Sequence, residues 1–172
     1  WSSDVCSSDL VCRLVVADDH ERVRSALKVL LGLEPDIEVV GEAANGQEAV
    51  DVVRRLKPDV LLLDLTMPVM TGMEAIPHVR EASPETRIVI LTMHRDADYM
   101  RKAFQAGAVG YVVKSTADEE VVGAVREAFR GGTYQDPSLD PEDGEGNAPS
   151  ADDDKGVSQR GRVSLWRLAL AW

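Results

Sequence analysis

The sequence predicts a doubly wound α/β domain, in which a parallel sheet of five strands carries helices on both faces. Short apolar runs alternate five times with longer amphipathic stretches between residues 11 and 131. The apolar runs are nearly continuous, which is typical of parallel strands that are buried on both faces. Strict alternation of strand and helix favours a parallel sheet, because each helix returns the chain to the same edge.

Five apolar runs are the candidate strands. The first is interrupted only by Arg13, and the third, which is the most apolar, leads directly into Asp64. The five runs cover residues 11–17, 37–40, 60–63, 88–91 and 109–113.

An amphipathic helix is predicted after each strand. In the first helix, apolar side chains recur three and four residues apart on one face, at Val23, Ala26, Leu27, Leu30 and Leu31. Pro77 leaves the start of the third helix open, because a proline inside a helix costs about 3 kcal/mol. The remaining four helices are predicted around residues 49–56, 73–82, 99–104 and 121–129.

The two ends of the chain lack this pattern. Residues 1–10 are small and polar, and we interpret them as a disordered or artefactual leader. Residues 136–158 hold eight acidic side chains against Lys155 alone, a composition that favours disorder. We therefore predict an acidic disordered tail over 132–172, with a short apolar end. All stability and all chemistry are then assigned to residues 11–131.

Composition excludes several classes of protein. The net charge of −11 argues against a broad nucleic-acid surface, because duplex binding depends on lysine and arginine. No apolar run approaches the roughly 20 residues of a membrane span, and the first residues do not resemble a signal peptide. The two cysteines, Cys6 and Cys12, fit neither a disulfide framework nor a zinc site. We therefore expect a cytoplasmic protein.

Polar side chains follow four of the predicted strands. Asp18 and Asp19 follow the first strand, Asp64 the third, Thr92 the fourth and Lys114 the fifth. The carboxyl ends of parallel strands meet at one edge, and in the flavodoxin-like order 2-1-3-4-5 the first and third strands are neighbours. Three close carboxylates repel one another unless a cation lies among them, and Mg²⁺ prefers such oxygen ligands. The set therefore indicates a carboxylate that accepts a phosphoryl group.

Each of these residues also has an ordinary structural interpretation. Asp19 is placed where it could cap the first helix, and a lone lysine after a strand is usually a solvated surface residue. It is the presence of all of them at the carboxyl ends of four different strands that favours a functional site.

Four motifs resemble the receiver domain of two-component response regulators, and their wording is similar to the NarL/FixJ subfamily. The resemblance covers residues 11–131 without a gap. The motifs are VVADDH at 15–20, LLLDLTMP at 61–68, ILTMH at 90–94 and GYVVK at 110–114.

The resemblance implies that Asp64 is the phosphoacceptor and that a sensor histidine kinase is the phosphodonor. Mg²⁺ would be bound by Asp19 directly, by Asp18 through water, by Asp64, and by the backbone carbonyl of Thr66. Further roles are implied for Lys114 and Thr92 as phosphoryl contacts, Thr92 and Tyr111 as a switch pair, and Met67, Pro68 and Gly72 as residues that shape the acceptor loop.

The resemblance also implies a module that is not an enzyme beyond catalysing its own phosphorylation and dephosphorylation, and that forms a homodimer on phosphorylation. The alternative is a Mg²⁺-dependent aspartyl-phosphate phosphatase of the haloacid-dehalogenase type. That family has a DxDx[T/V] motif after its first strand, which Asp18-Asp19-His20 does not match. No helix-turn-helix output domain can be recognised in 132–172, so DNA binding is expected only of a longer parent protein.

Overall fold

The computed structural model describes residues 10–139 and centres on a six-stranded sheet in the order β2-β1-β3-β4-β5-β6. Every neighbouring pair of strands is parallel. The predicted fold class and the order 2-1-3-4-5 are therefore confirmed. The strands are β1 (Cys12–Ala17), β2 (Ile37–Ala43), β3 (Val60–Leu63), β4 (Arg87–Thr92), β5 (Gly110–Val113) and β6 (Tyr134–Gln135).

One helix connects each of the first five strands to the next. All five begin before the apolar stripe that predicted them, because their first turns are polar or small. None of the helices within residues 10–139 is long and apolar enough to cross a membrane. The helices are α1 (Glu21–Gly32), α2 (Gly46–Leu56), α3 (Gly72–Ala82), α4 (Ala97–Ala106) and α5 (Ala117–Phe129), with a 3-10 turn at Lys114–Thr116 before α5.

The helices cover both faces of the sheet and form two apolar cores. Alternation along β1 shows the division, since Val15 contributes to one core while Leu14 and Val16 contribute to the other. The buried side chains of α2, α3 and α4 pack on the first face, and those of α1 and α5 pack on the second. The sheet is thereby covered on both sides, and its carboxyl edge remains available for polar side chains.

The sixth strand differs from the prediction of five strands. Tyr134 pairs with Gly110 and Gln135 with Tyr111, in a segment that was assigned to the disordered tail. Beyond β6, the side chains of Asp136 and Leu139 are also buried. Two residues of mixed polarity carry no strand periodicity, so this strand depends on pairing with β5 and not on a local apolar run. The packed part of the chain therefore continues past the predicted boundary at 131.

The rest of the predicted tail, from residue 140 onward, lies outside the described residues. So does the predicted leader, apart from Leu10.

Candidate functional site

Two carboxylates stand side by side at the carboxyl edge of the sheet because the strand ladders continue one residue beyond β1 and β3. The amide of Asp18 donates to the carbonyl of Ala43 on β2 (3.1 Å). The amide of Asp64 donates to the carbonyl of Ala17 on β1 (2.9 Å). Asp18 is 1% exposed and Asp64 is 3% exposed. The parallel sheet thus brings two acidic side chains together at one edge, as the sequence predicted, and both of them are buried.

Lys114 joins these two carboxylates. Its Nζ lies 2.6 Å from Asp18 Oδ2 and 2.7 Å from Asp64 Oδ2. The bond to Asp64 is a well-formed hydrogen bond, whereas the approach to Asp18 has the distance of an ion pair without hydrogen-bond geometry. The side chain reaches the site from the turn after β5 and is only 4% exposed. A surface role for Lys114 is therefore excluded.

The charges of this triad are strongly coupled. Burial raises the pKa of Asp64, and the Lys114 ammonium opposes that rise without cancelling it. For Lys114, burial acts to lower the pKa, but the negative charges of Asp64 and Asp18 outweigh it and the pKa is raised. Two carboxylates and one ammonium leave the group with one excess negative charge, which favours a further cation.

Asp19 and His20 extend the acidic group toward solvent. One potential ligand atom from each of Asp18, Asp19 and His20 lies within 4.8 Å of the others. His20 Nδ1 approaches Asp19 Oδ1 at 2.7 Å. His20 belongs to the VVADDH motif, but a single histidine in a loop carries no signal of its own, so the sequence predicts no role for it. Asp64 is not one of these three residues, and Lys114 links it to Asp18.

The structure also decides how α1 is capped. His20 is the N-cap residue of this helix and makes no side-chain capping bond. The Asp18 carboxylate instead accepts a hydrogen bond from the His20 amide (2.9 Å). Asp19 is therefore not the cap of α1, and the ordinary interpretation of this residue is wrong. Its carboxylate contacts the His20 ring and takes no part in capping the helix.

A hard divalent cation fits these residues. Asp18 Oδ2 is buried and accepts no well-formed hydrogen bond among the described residues, and it shares its ion-pair contact, the Lys114 ammonium (2.6 Å), with Asp64. A second cation beside these two carboxylates would offset the negative charge that Lys114 leaves uncompensated. The surrounding carboxylate oxygens are the ligands that Mg²⁺ prefers.

Thr92 and Tyr111, the predicted switch pair, are both bound to the backbone of His94. Thr92 Oγ1 accepts a hydrogen bond from the His94 amide (3.2 Å). The Tyr111 hydroxyl donates to the His94 carbonyl (3.0 Å), and its ring is fully buried. The His94 ring lies 3.3 Å from Thr66 Oγ1, measured at Nε2. One residue of the β4–α4 loop thus contacts both switch positions and the loop after Asp64.

The loop after Asp64 folds tightly against the acceptor residue. The amide of Thr66 donates to Asp64 Oδ1 (3.3 Å), and the amide of Gly72 donates to the Leu65 carbonyl (3.0 Å). Met67 packs into the core, and the carbonyl of Pro68 accepts from the Met70 amide (2.8 Å). Met67 and Pro68 therefore lie in this loop, and Gly72, the first residue of α3, closes it.

Comparison with known proteins adds independent information. The family model "Response regulator receiver domain" matches residues 14–126. The chain is 42% identical over 128 residues to the oxygen regulatory protein NreC of Staphylococcus carnosus, and 43% identical over the same length to NreC of Staphylococcus haemolyticus. These matches cover 74% of this chain and 59% of each relative. The chain therefore spans well under two thirds of the length of these relatives.

Solved structures give the same result. A LuxR-family two-component response regulator from Aurantimonas sp. SI85-9A1 superimposes with a TM-score of 0.72 at 38% identity, over 75% of this chain and 92% of that one. The receiver domain of the putative response regulator NarL from Mycobacterium tuberculosis has a TM-score of 0.68 at 34% identity, over 71% of this chain and 98% of that one. The matches do not support the phosphatase alternative. This chain belongs to the response regulator receiver domain family, in its NarL/LuxR group, and is not a classical enzyme.

Proposed function

We propose that Asp64 is the phosphoacceptor of this receiver domain and that its phosphorylation requires Mg²⁺. The observation that carries the proposal is that two buried carboxylates, Asp64 and Asp18, share the single Lys114 ammonium at 2.7 and 2.6 Å. Asp64 is suited to take up a phosphoryl group, because one of its oxygens is paired with Lys114 and the neighbouring carboxylates can hold a second cation. Family membership supports the same assignment.

The transfer itself is a substitution at phosphorus. A carboxylate oxygen of Asp64 attacks the phosphorus, and the bond from phosphorus to the histidine nitrogen of the kinase breaks. The nitrogen keeps the electron pair, and an acyl phosphate forms on Asp64. Asp18, Asp19, Asp64 and the Thr66 carbonyl are the proposed Mg²⁺ ligands. When bound, Mg²⁺ supplies positive charge that offsets the charge of the phosphoryl oxygens and the carboxylates.

The protein's own polar groups then respond to the new charge. Lys114 leaves its position between the two carboxylates and binds a phosphoryl oxygen. Thr92 exchanges the His94 amide for another phosphoryl oxygen, while the Tyr111 ring holds the space beneath the β4–α4 loop. Because both switch residues contact the backbone of His94 in this structure, a change at Thr92 is transmitted to this loop and to α4. A local change of charge thus biases a loop and a helix.

Signalling partners follow from the family and from the length of the chain. A response regulator implies a sensor histidine kinase as phosphodonor. Since the chain covers 59% of the NreC relatives, we propose that an output domain for transcriptional control belongs to a longer parent protein. DNA binding is assigned to that parent, and phosphorylation is proposed to promote a homodimer.

Intact-mass measurement tests the proposal. Acetyl phosphate with Mg²⁺ should add one phosphoryl group to the full chain, and removal of Mg²⁺ with EDTA should abolish the addition. Asp64→Asn should take up none. Asp51→Asn, at an exposed carboxylate on α2, should be labelled as the wild type is. Undiminished labelling of Asp64→Asn would overturn the assignment of the acceptor, and labelling in EDTA would overturn the role of Mg²⁺.

A further inference from the structure

A buried carboxylate lies outside the phosphorylation site, in the segment that follows α5. Asp136 directly follows β6 and is 1% exposed. No lysine, arginine or histidine forms an ion pair with it among residues 10–139. A buried carboxylate without a cation is costly unless several hydrogen-bond donors surround it. The hydrogen-bond donors around Asp136 must therefore account for its burial.

Both oxygens of Asp136 are fully used. Oδ1 accepts from the Ser138 amide (2.8 Å) and the Ser138 hydroxyl (2.6 Å). Oδ2 accepts from the Val113 amide (2.9 Å) and lies 2.5 Å from the Thr116 hydroxyl. These bonds hold the pKa of Asp136 below its usual range even though burial acts to raise it. The carboxylate is thus built into the fold in its charged form.

The partners of Oδ2 bracket Lys114. Val113 directly precedes Lys114, and Thr116 follows it two residues later, so a single oxygen binds both sides of the turn that carries the lysine. The Asp136 amide also donates to the carbonyl of Tyr111 (2.9 Å). Asp136 consequently contacts the backbone around a predicted switch residue as well as the turn that presents Lys114 to Asp18 and Asp64.

We propose that Asp136 is a positioning residue for phosphoryl transfer, which fixes the β5–α5 turn so that Lys114 reaches the acceptor site. The inference rests on the proposed function of Asp64 and Lys114. The Asp136 carboxylate is hydrogen-bonded to Val113, Thr116 and Ser138 and acts on the site only through Lys114. Small displacements of a reacting or stabilising group reduce rates sharply, so the turn needs a firm anchor. The segment after α5 is then part of the phosphorylation machinery and more than a connector.

The test compares Asp136→Asn with Gln135→Ala in the full chain. Asparagine has the same size as aspartate, but an NH₂ group replaces one of the two carboxylate oxygens. Each of these oxygens accepts a hydrogen bond from a backbone amide, so the NH₂ group faces another donor. The Gln135 side chain donates to the Leu139 carbonyl (2.9 Å) and is not bonded to the Lys114 turn, so its loss controls for general loosening of the segment. Both variants are studied at a temperature where each is fully folded by circular dichroism.

The first measurement is the rate of phosphorylation by acetyl phosphate with Mg²⁺. We expect Asp136→Asn to slow it by about tenfold and Gln135→Ala to leave it within about twofold of the wild type. Equal rates for the wild type and Asp136→Asn would overturn the inference about Asp136 and leave the proposed function of Asp64 intact. A wild type that takes up no phosphoryl group would overturn the proposed function and, with it, the inference.

The second measurement shows whether Asp136 acts through Lys114. Affinity for beryllofluoride, which occupies the phosphoryl position without chemistry, is measured in a double-mutant cycle of Asp136→Asn with Lys114→Gln. We expect Asp136→Asn to weaken binding in the wild-type background and to have no further effect once Lys114 is replaced. Fully additive losses would show that Asp136 has a general structural role, and would overturn the inference.

Discussion

Gly72 allows the chain after Asp64 to fold back against the backbone of the acceptor residue. A Cβ atom at this position would overlap the Asp64 carbonyl oxygen, which belongs to the main chain and cannot swing away. We expect Gly72→Ala to lower the free energy of unfolding by about 3 kcal/mol or more, because either the loop or the end of β3 must move. Urea denaturation of the full chain measures this loss.

Gly32 provides a matched control for that substitution. It ends α1, and apart from its two chain neighbours and the backbone of its own helix no atom lies within 4 Å of the position of a new Cβ. Gly32→Ala should therefore change stability little, or increase it by up to about 1 kcal/mol. Equal stabilities of the two alanine variants would contradict the steric argument for Gly72.

The environment of Asp136 implies that its contribution to stability decreases at low pH. Burial acts to raise its pKa, but hydrogen bonds from Ser138, Thr116 and Val113 outweigh this and lower the pKa below its ordinary value of 3.8. A group whose pKa falls on folding stabilises the native state above its unfolded pKa and loses that contribution as the pH drops through the folded value. We expect wild type to exceed Asp136→Asn in stability by a constant amount from pH 8 to about pH 5.

Below about pH 4 the difference should narrow, because the unfolded state takes up the proton at a higher pH than the folded state does. The measurement is a urea titration of both proteins at each pH. The difference between them removes the contribution of carboxylates that do not interact with Asp136, whereas the pKa of Glu120, which burial and the Asp136 charge both raise, changes with the substitution. A difference that grows toward low pH would contradict the assignment of Asp136 as a stabilising anion.

Helix α3 begins with a capping box that compensates for its unfavourable composition. Thr71 Oγ1 accepts from the Glu74 amide (3.3 Å), and the Glu74 carboxylate accepts from the Thr71 amide (2.9 Å). Pro77 lies inside this helix and removes one backbone donor. The cap therefore fixes the start of α3 at Gly72, a position that the sequence alone leaves open because of Pro77.

We expect Thr71→Ala to reduce the free energy of unfolding by about 1 kcal/mol, since the first-turn amides lose their acceptor. Thr71→Ser keeps the hydroxyl and should stay close to the wild type. Thermal and urea denaturation of the two variants measure the effect. An equal loss for serine and alanine would show that the methyl group of Thr71 matters and that the cap does not.

The bounds of a strand or helix could be predicted where they depend on the residues of that element itself, and not where they depend on pairing with a distant part of the chain. Strand β3 has the predicted bounds, since its apolar run is continuous and buried on both faces. Strand β2 continues past the predicted end at residue 40 to Ala43, because its backbone pairing with β1 continues that far. The last part of this edge strand lacks an apolar run, so the sequence gives no sign of it. Val69 has a left-handed backbone (φ 68°) that no propensity would assign to a β-branched residue.

The candidate site was predictable for a topological reason. Carboxyl ends of neighbouring parallel strands meet, so the positions of Asp18, Asp64 and Lys114 in the sequence were sufficient to bring them together. The bridging role of the His94 backbone was not predictable, because any residue has the same amide and carbonyl. Asp136 was missed for a different reason, since its partners Val113 and Thr116 are 23 and 20 residues away and its neighbours in the sequence resemble a disordered tail.

At the scale of the whole molecule, β6 and the residues after it define where the domain ends. Residues 133–139 contribute the pairing with β5, the buried Leu139 side chain and the Asp136 bonds to Val113 and Thr116. A chain that ends after Gly132 loses all of these and leaves the Val113 amide without its acceptor. An unsatisfied buried donor alone costs about 1–3 kcal/mol.

Two truncated chains therefore distinguish the domain boundary predicted at residue 131 from a boundary at Leu139, which the packing of the structure indicates. We expect a chain ending at Leu139 to unfold at the same urea concentration as the full chain. A chain ending at Gly132 should lose about 2–4 kcal/mol, as a combined effect of the unpaired donor and the exposed apolar surface. It should also be phosphorylated more slowly, because the Lys114 turn has lost its anchor. Superimposable urea curves for the two truncated chains would show that residues 133–139 add nothing, and that the boundary predicted from composition was sufficient.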